Sequence, residues 1–223
     1  MAAHLDLDEQ EQLDQLKAFW KRWGNLITWL ITAALAAFAA WQGWNWYQRD
    51  QAGKAAAMYE EFDKALTAQD ADKAAGAAAD LKARFASTAY ATQAGLQVAK
   101  LQLDKGKTDE AKQSLTWVAE RGVEDGPYRD LARLRLAGLQ LDAKAFDEAA
   151  KTLDAVKSAE FAGLVADRRG DLLLLQDKRD AAKAEYQKAL AGMDKTLDYR
   201  RIVEAKLATL GVPTAVETAG AAQ

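Results

Sequence analysis

Between Arg22 and Arg49 no residue carries a charge, in a chain where 28% of residues are charged. The apolar stretch inside this gap, Leu26 to Trp46, would reach about 30 Å as an α-helix, the thickness of a bilayer's hydrocarbon core. Its ends are aromatic: Trp20, Trp23 and Trp29 on one side, then Trp41, Trp44, Trp46 and Tyr47 on the other. Indole rings favour the headgroup region, so six of the seven tryptophans gathering here has a physical cause. A buried core helix of this length would not need such flanks.

A cleaved signal peptide competes with this reading, because Ala37-Phe38-Ala39 has the small-x-small form of a cleavage site. Against it stand the long apolar run and a preceding segment rich in acid, with Asp6, Asp8, Glu9, Glu11 and Asp14. An uncleaved anchor is the expectation. Lys17, Lys21 and Arg22 precede the span, and Arg49 and Lys54 follow it closely, a narrow bias toward a cytoplasmic N-terminus. Inside the span, Ala33, Ala36, Ala40 and Gly43 make a stripe of small side chains on which another membrane helix can pack. An alanine-rich helix shows such a stripe in nearly any register, so both readings stand at this point. Leu13, Leu16, Trp20 and Trp23 mark an amphipathic helix that leads into the span.

Beyond about Ala52 the chain reads as consecutive helices with short polar breaks and no β-branched runs, and Pro occurs only twice. The fold class expected is all-α. Self-similarity supplies the organisation. Val98-Ala99-x-Leu101-x-Leu103 recurs as Leu136-Ala137-x-Leu139-x-Leu141 and, degenerately, as Gly170-x-Leu172-x-Leu174. Each is trailed by a turn and a second helix opening on Asp109-Glu110-Ala111, Asp147-Glu148-Ala149 or Asp180-Ala181-Ala182. Leu115, Leu153 and Tyr186 stand four residues after those alanines, and Val118, Val156 and Ala189 seven after. The alanine lets two helices cross closely, and acidic residues complement the second helix's dipole. Gly106 marks a turn that needs positive φ. The segment Leu131–Leu141 is apolar on two faces, as stacked helical pairs require. A poorer first unit runs from Met58 through Leu81, with Tyr59 and Phe62 in its first helix, and Gly122–Pro127 is the clearest break.

The unit resembles the tetratricopeptide repeat, a helix-turn-helix of about 34 residues. The repeat's early aromatic is missing here, and Pro127 lies beyond the usual site of its closing proline. The expected organisation is an N-terminal cytoplasmic segment at 1–25 and a transmembrane helix at 26–46. A tetratricopeptide-type α-solenoid follows at 47–210, and a disordered tail at 211–223. By analogy with that packing, Leu96, Lys100, Leu103, Leu134 and Leu141 are candidates for a protein-binding groove, with Leu134 and Leu141 reading rather as inter-repeat core.

Composition excludes several chemistries. The net charge of -3 provides no basic field for nucleic acid. With no cysteine there is no disulfide framework, thiol nucleophile or cysteine-linked lipid, and the single histidine, His4, lies in a tail. Asp109/Glu110 and Asp147/Glu148 recur at helix starts, which accounts for them without catalysis. No enzyme, cofactor or metal site is expected.

The opening Asp6-x-Asp8-Glu9-Gln10-Glu11-Gln12-Leu13, the span with its Trp41-x-x-Trp44 edge and the small repeat domain together resemble the YfgM family. Members of that family are ancillary subunits of the bacterial SecYEG translocon. The resemblance implies an inner-membrane protein with a cytoplasmic N-terminus and a periplasmic repeat domain. It also implies association with SecYEG, with the membrane-anchored chaperone PpiD and with secreted polypeptides. The function expected is a protein-binding scaffold beside the translocon. Two other readings remain: an envelope adaptor for cell-wall or outer-membrane assembly, and a regulator acting through Met1–Asn25.

Overall fold

The computed structural model describes the backbone of residues 7–123 and 127–212, and side chains from residue 11 onward. Among these residues there are α-helices, one 3₁₀ turn and no strand, as the composition predicts. Helix α1 runs Leu7–Thr67. It is followed by α2 (Ala71–Arg84), α3 (Ala89–Asp104), α4 (Thr108–Arg121), α5 (Tyr128–Asp142) and α6 (Phe146–Asp154). A 3₁₀ turn at Ala159–Phe161 leads into α7 (Ala162–Leu175), α8 (Arg179–Gly192) and α9 (Arg200–Thr209).

The chain divides into two compact units, one through Gln51 and one from Ala52. The first is helical throughout its described length. The amphipathic stretch Leu13–Trp23 and the apolar stretch Leu26–Trp46 belong to one uninterrupted helix, with no break at the expected span edges.

The second unit is a stack of helical pairs. The last turns of α1 pair with α2, then α3 with α4, α5 with α6, and α7 with α8, while α9 closes the stack. Ala111, Ala149 and Ala182, where the repeat alignment asks for a small residue, are all 0% exposed. So are Leu115, Leu153 and Tyr186 four residues on. These larger side chains fill the space over Ala99, Ala137 and Gly170 of the preceding helix. The pair α7 and α8 exchanges volume: its first helix has glycine instead of alanine, and its second has tyrosine instead of leucine. A Cβ at Gly170 would stand 2.5 Å from the Tyr186 ring, so the small residue is obligatory there.

Each first helix ends in the same way. Gln69, Gly106, Lys144 and Asp177 have φ of 56°, 75°, 58° and 61°, and Gly211 after α9 has 79°. The amides of Asp70, Lys107, Ala145, Lys178 and Val212 each donate back to the carbonyl five residues earlier, at 2.8–3.1 Å. This Schellman closure satisfies carbonyls that the helix end leaves unpaired. The positive φ expected at Gly106 is therefore a property of every unit. Residues 211 and 212, expected to begin a disordered tail, complete the last of these turns, and Val212 packs on the terminal core. The remainder of that tail, 213–223, lies outside the described residues, as do His4, positions 124–126 of the Gly122–Pro127 break and the opening acidic residues through Asp6.

Asp130 joins consecutive units. Its carboxylate, buried near the start of α5, accepts from Arg133 at 2.6 Å. It also accepts from the backbone amides of Lys157 and Ser158 at 3.0 and 2.8 Å and from the Ser158 hydroxyl at 2.7 Å. Burial alone would raise its pKa, but the Ser158, Arg133 and Lys157 hydrogen bonds together outweigh it and bring the group to about 2.

Two stability predictions follow from this packing. Gly170→Ala should destabilise the detergent-solubilised chain by about 1–3 kcal/mol, because a rigid ring occupies the Cβ position. Adding Tyr186→Leu restores the alanine-leucine pairing of the other units. The double variant should be less destabilised than the sum of the two single changes, as read from urea unfolding followed by circular dichroism. Asp130 binds its proton less readily folded than unfolded, so its contribution is fully present above the ordinary value of 3.8 and lost as pH falls through about 2. Asp130→Asn should therefore cost about 2 kcal/mol at neutral pH. The gap between wild type and variant should close as unfolding is measured at progressively more acid pH across that window.

Candidate functional site: an apolar helix and a groove on the first helices

The first unit is built to meet an apolar medium. Trp29, Leu30, Leu35, Phe38, Trp41, Trp44 and Trp46 are all more than half exposed, with Trp46 at 71%. The two threonine hydroxyls within the apolar stretch donate back along the helix, Thr28 to the Gly24 carbonyl and Thr32 to the Thr28 carbonyl, both at 2.8 Å. Neither needs water as a partner, which suits a hydrocarbon surrounding. Ala33, Ala36, Ala40 and Gly43 are exposed, and space at Gly43 is open. This helix is long and apolar enough to cross a membrane.

In the second unit, successive first helices touch, α3 with α5 and α5 with α7. Their shared side carries a ladder of glutamine and tyrosine side chains, the rings of Tyr59, Tyr90 and Tyr128 lying partly buried against the core. Gln97 donates to the Tyr59 hydroxyl at 2.9 Å, and Gln93 to the Tyr128 hydroxyl at 3.0 Å. The rings of Tyr59 and Tyr90 lie 5.4 Å apart. Burial raises the Tyr59 pKa against the opposing effect of the Gln97 bond, so this hydroxyl stays protonated at neutral pH.

Further along the same side, a groove of about 580 Å³ opens between α5, α7 and the connection from α8 to α9. Leu131, Leu134, Phe161, Leu164, Met193 and Leu197 give it an apolar lining, and Leu197 is 50% exposed. Arg135 and Arg168 supply cations, Glu160 and Asp194 carboxylates. One wall is held by a buried polar cluster. Tyr199 donates to Asp167 at 2.8 Å and Tyr186 to Asp171 at 2.8 Å. Lys206 reaches both carboxylates, at 2.8 and 2.6 Å, and Arg168 pairs with Asp171 at 2.9 Å. Two cations offset two anions, so a fully buried Asp167 is tolerated. Burial, helped by the bond to Asp167, pushes the Tyr199 hydroxyl up to about 12, and burial with Asp171 raises Tyr186 as well. Both tyrosine hydroxyls therefore stay protonated near neutrality and serve as hydrogen-bond donors.

The groove candidates from sequence separate into two kinds. Leu96 and Leu141, at 5% and 4% exposed, belong to the packed core instead of an open groove. Leu134 is 6% exposed and packs in the core while its edge also lines the groove. Lys100 is exposed and pairs with Asp104 at 2.7 Å, and Leu103 is half-buried against the core of the second pair. Sequence reasoning missed Phe161, Leu164, Met193 and Leu197. Three of these, Phe161, Met193 and Leu197, lie outside the α-helices, where no periodicity marks an apolar residue as forming a wall. Among the described residues no group of three or more His, Cys, Asp or Glu is placed to hold a metal ion.

The profile of the tetratricopeptide repeat-like domain matches residues 17–212. A protein of Neisseria gonorrhoeae named as an ancillary SecYEG translocon subunit is 30% identical over 214 residues, covering 94% of this chain and 100% of that one. Proteins of the same name from Escherichia coli and Haemophilus influenzae are 27% and 26% identical over 183 residues each. The first alignment covers 81% of this chain and 86% of the relative, the second 82% and 89%. The apolar anchor helix, the stacked helical pairs and similarity along nearly the whole length agree. The chain is a membrane-anchored, non-enzymatic member of the tetratricopeptide repeat-like family of ancillary SecYEG translocon subunits, the YfgM family.

Proposed function

We propose that this protein is a scaffold at the Sec translocon, anchored with its N-terminus in the cytoplasm and its solenoid on the periplasmic side of the inner membrane. Its groove receives apolar segments of secreted polypeptides as they emerge, and PpiD is the chaperone it brings to them. The observation that carries this reading is the groove formed by α5, α7 and the α8–α9 connection. An unfolded chain leaving a translocon exposes apolar side chains, and the lining of Leu131, Leu164, Phe161 and Leu197 offers them burial. The Tyr59–Gln97 and Gln93–Tyr128 pairs continue the same side with amide and hydroxyl groups suited to backbone.

The names of the relatives support association with SecYEG. The exposed stripe Ala33, Ala36, Ala40 and Gly43 offers a face for close packing on a translocon helix, where backbone proximity replaces the missing hydrophobic drive. Lys17, Lys21 and Arg22 favour the orientation, and the half-exposed Trp20 and Trp23 sit where an interfacial belt is expected.

Protease added to spheroplasts should digest the solenoid and leave the N-terminal segment intact; protection of the solenoid until lysis would reverse the orientation. A photo-crosslinking residue at Ala36 should capture a translocon component in native membranes, and one at Arg135 a secreted polypeptide in transit. Leu131→Asp or Leu197→Asp should reduce capture of secreted chains at Arg135 by at least about fivefold, the equivalent of roughly 1 kcal/mol. The exposed change Gln187→Ala on α8 should leave it unchanged.

A further inference from the structure

A second recess, of about 390 Å³, opens between the second helices α2 and α4, with Val98 and Gln102 of α3 at its floor. Lys82 and Trp117 face each other across it, the ammonium 5.6 Å from the indole centroid. Trp117 is the one tryptophan remote from the anchor helix in sequence. The repeat does not require it: at the same distance after the core residue of α6 and of α8 stand Ala155 and Lys188.

The charges around the recess are unequally satisfied. Its two carboxylates, Asp72 and Glu110, are both engaged by Lys107, at 2.6 and 3.7 Å. Lys82 is half-buried, and no carboxylate pairs with it among the described residues. Burial lowers the pKa of its ammonium, with no neighbouring charge acting against that. Drawing a cation partly out of water without a counter-charge is unfavourable, and the indole face offsets only a part of it. An anionic group entering the recess would complete the arrangement.

We propose that this recess binds an acidic segment of a partner polypeptide, a carboxylate pairing with Lys82 while the adjoining apolar side chain lies on the Trp117 indole. The exposed Gln113 at the rim carries an amide that both donates and accepts. A peptide backbone matches that combination; a phosphodiester group, presenting acceptors alone, does not. Tryptophan is also a residue type on which binding energy concentrates at protein interfaces. The site is on different helices from the client groove and does not rest on that reading.

The test uses the full-length chain in uncharged detergent and two fluorescein-labelled nonapeptides, Ala-Leu-Ala-Glu-Leu-Glu-Ala-Leu-Ala and its counterpart with both Glu replaced by Gln. Fluorescence anisotropy should show the acidic peptide binding at least about fivefold more tightly, with the preference falling as salt rises. Lys82→Gln, which keeps the length and amphipathic stem, should abolish the preference without moving the thermal unfolding midpoint. Trp117→Leu should weaken both peptides, whereas Leu131→Asp in the other groove should change neither. Equal binding of the two peptides, or an unchanged preference in Lys82→Gln, would overturn the proposal. Displacement of the acidic peptide by soluble dihexanoyl phosphatidylglycerol more readily than by unlabelled peptide would assign the recess to a lipid headgroup and overturn it equally.

Discussion

Two helices can cross closely only where one of them presents a small side chain, and the repeat domain is organised around that crossing. Ala99 meets Leu115, Ala137 meets Leu153, and Gly170 meets Tyr186. In each pair the sum of volumes is held while its division changes, as close packing demands. The third pair is the extreme case. Removing the last methyl from the first helix makes room for a ring whose hydroxyl then reaches Asp171. The polar cluster that fixes α9, and with it one wall of the apolar groove, thus depends on a glycine.

The crossings would not stack without reproducible joints between helices. Four of the five positive-φ turns join a first helix to its second, and three of those four are made by Gln69, Lys144 and Asp177 instead of glycine. Such residues adopt the left-handed region at some cost, which the Schellman hydrogen bonds offset. The joint from one pair to the next is more individual. Between α6 and α7 it is Asp130, whose carboxylate gathers four donors from Arg133, Lys157 and Ser158. Its low pKa records how strongly that joint favours the charged form.

These joints leave two kinds of surface for partners. Contacts between first helices place polar pairs and then an apolar groove on one side, suited to segments of unfolded chain. The second helices α2 and α4 leave a smaller recess around Lys82 and Trp117, suited to an acidic segment.

Much of this architecture is legible in the residues themselves. A charge-free apolar run with tryptophan edges implies a bilayer, because no soluble surface tolerates it over that length. Alanines followed at four and seven residues by larger apolar side chains imply paired helices, because that spacing keeps them on one face. The same periodicity could not say which apolar residues become wall and which become core. Leu96 and Leu141 share a register with surface positions yet lie buried, since each helix between two neighbours has two buried faces. Leu197 and Phe161 lie outside the helices and have no period to betray them. The positive-φ turns at Gln69 and Lys144 were hidden because only glycine advertises that conformation. What the sequence determined alone is the anchor, the helical class and the repeat. The groove, the Lys82–Trp117 recess and the Asp130 joint were decided by tertiary structure, because each depends on residues from separate parts of the chain meeting at distances that no linear spacing encodes.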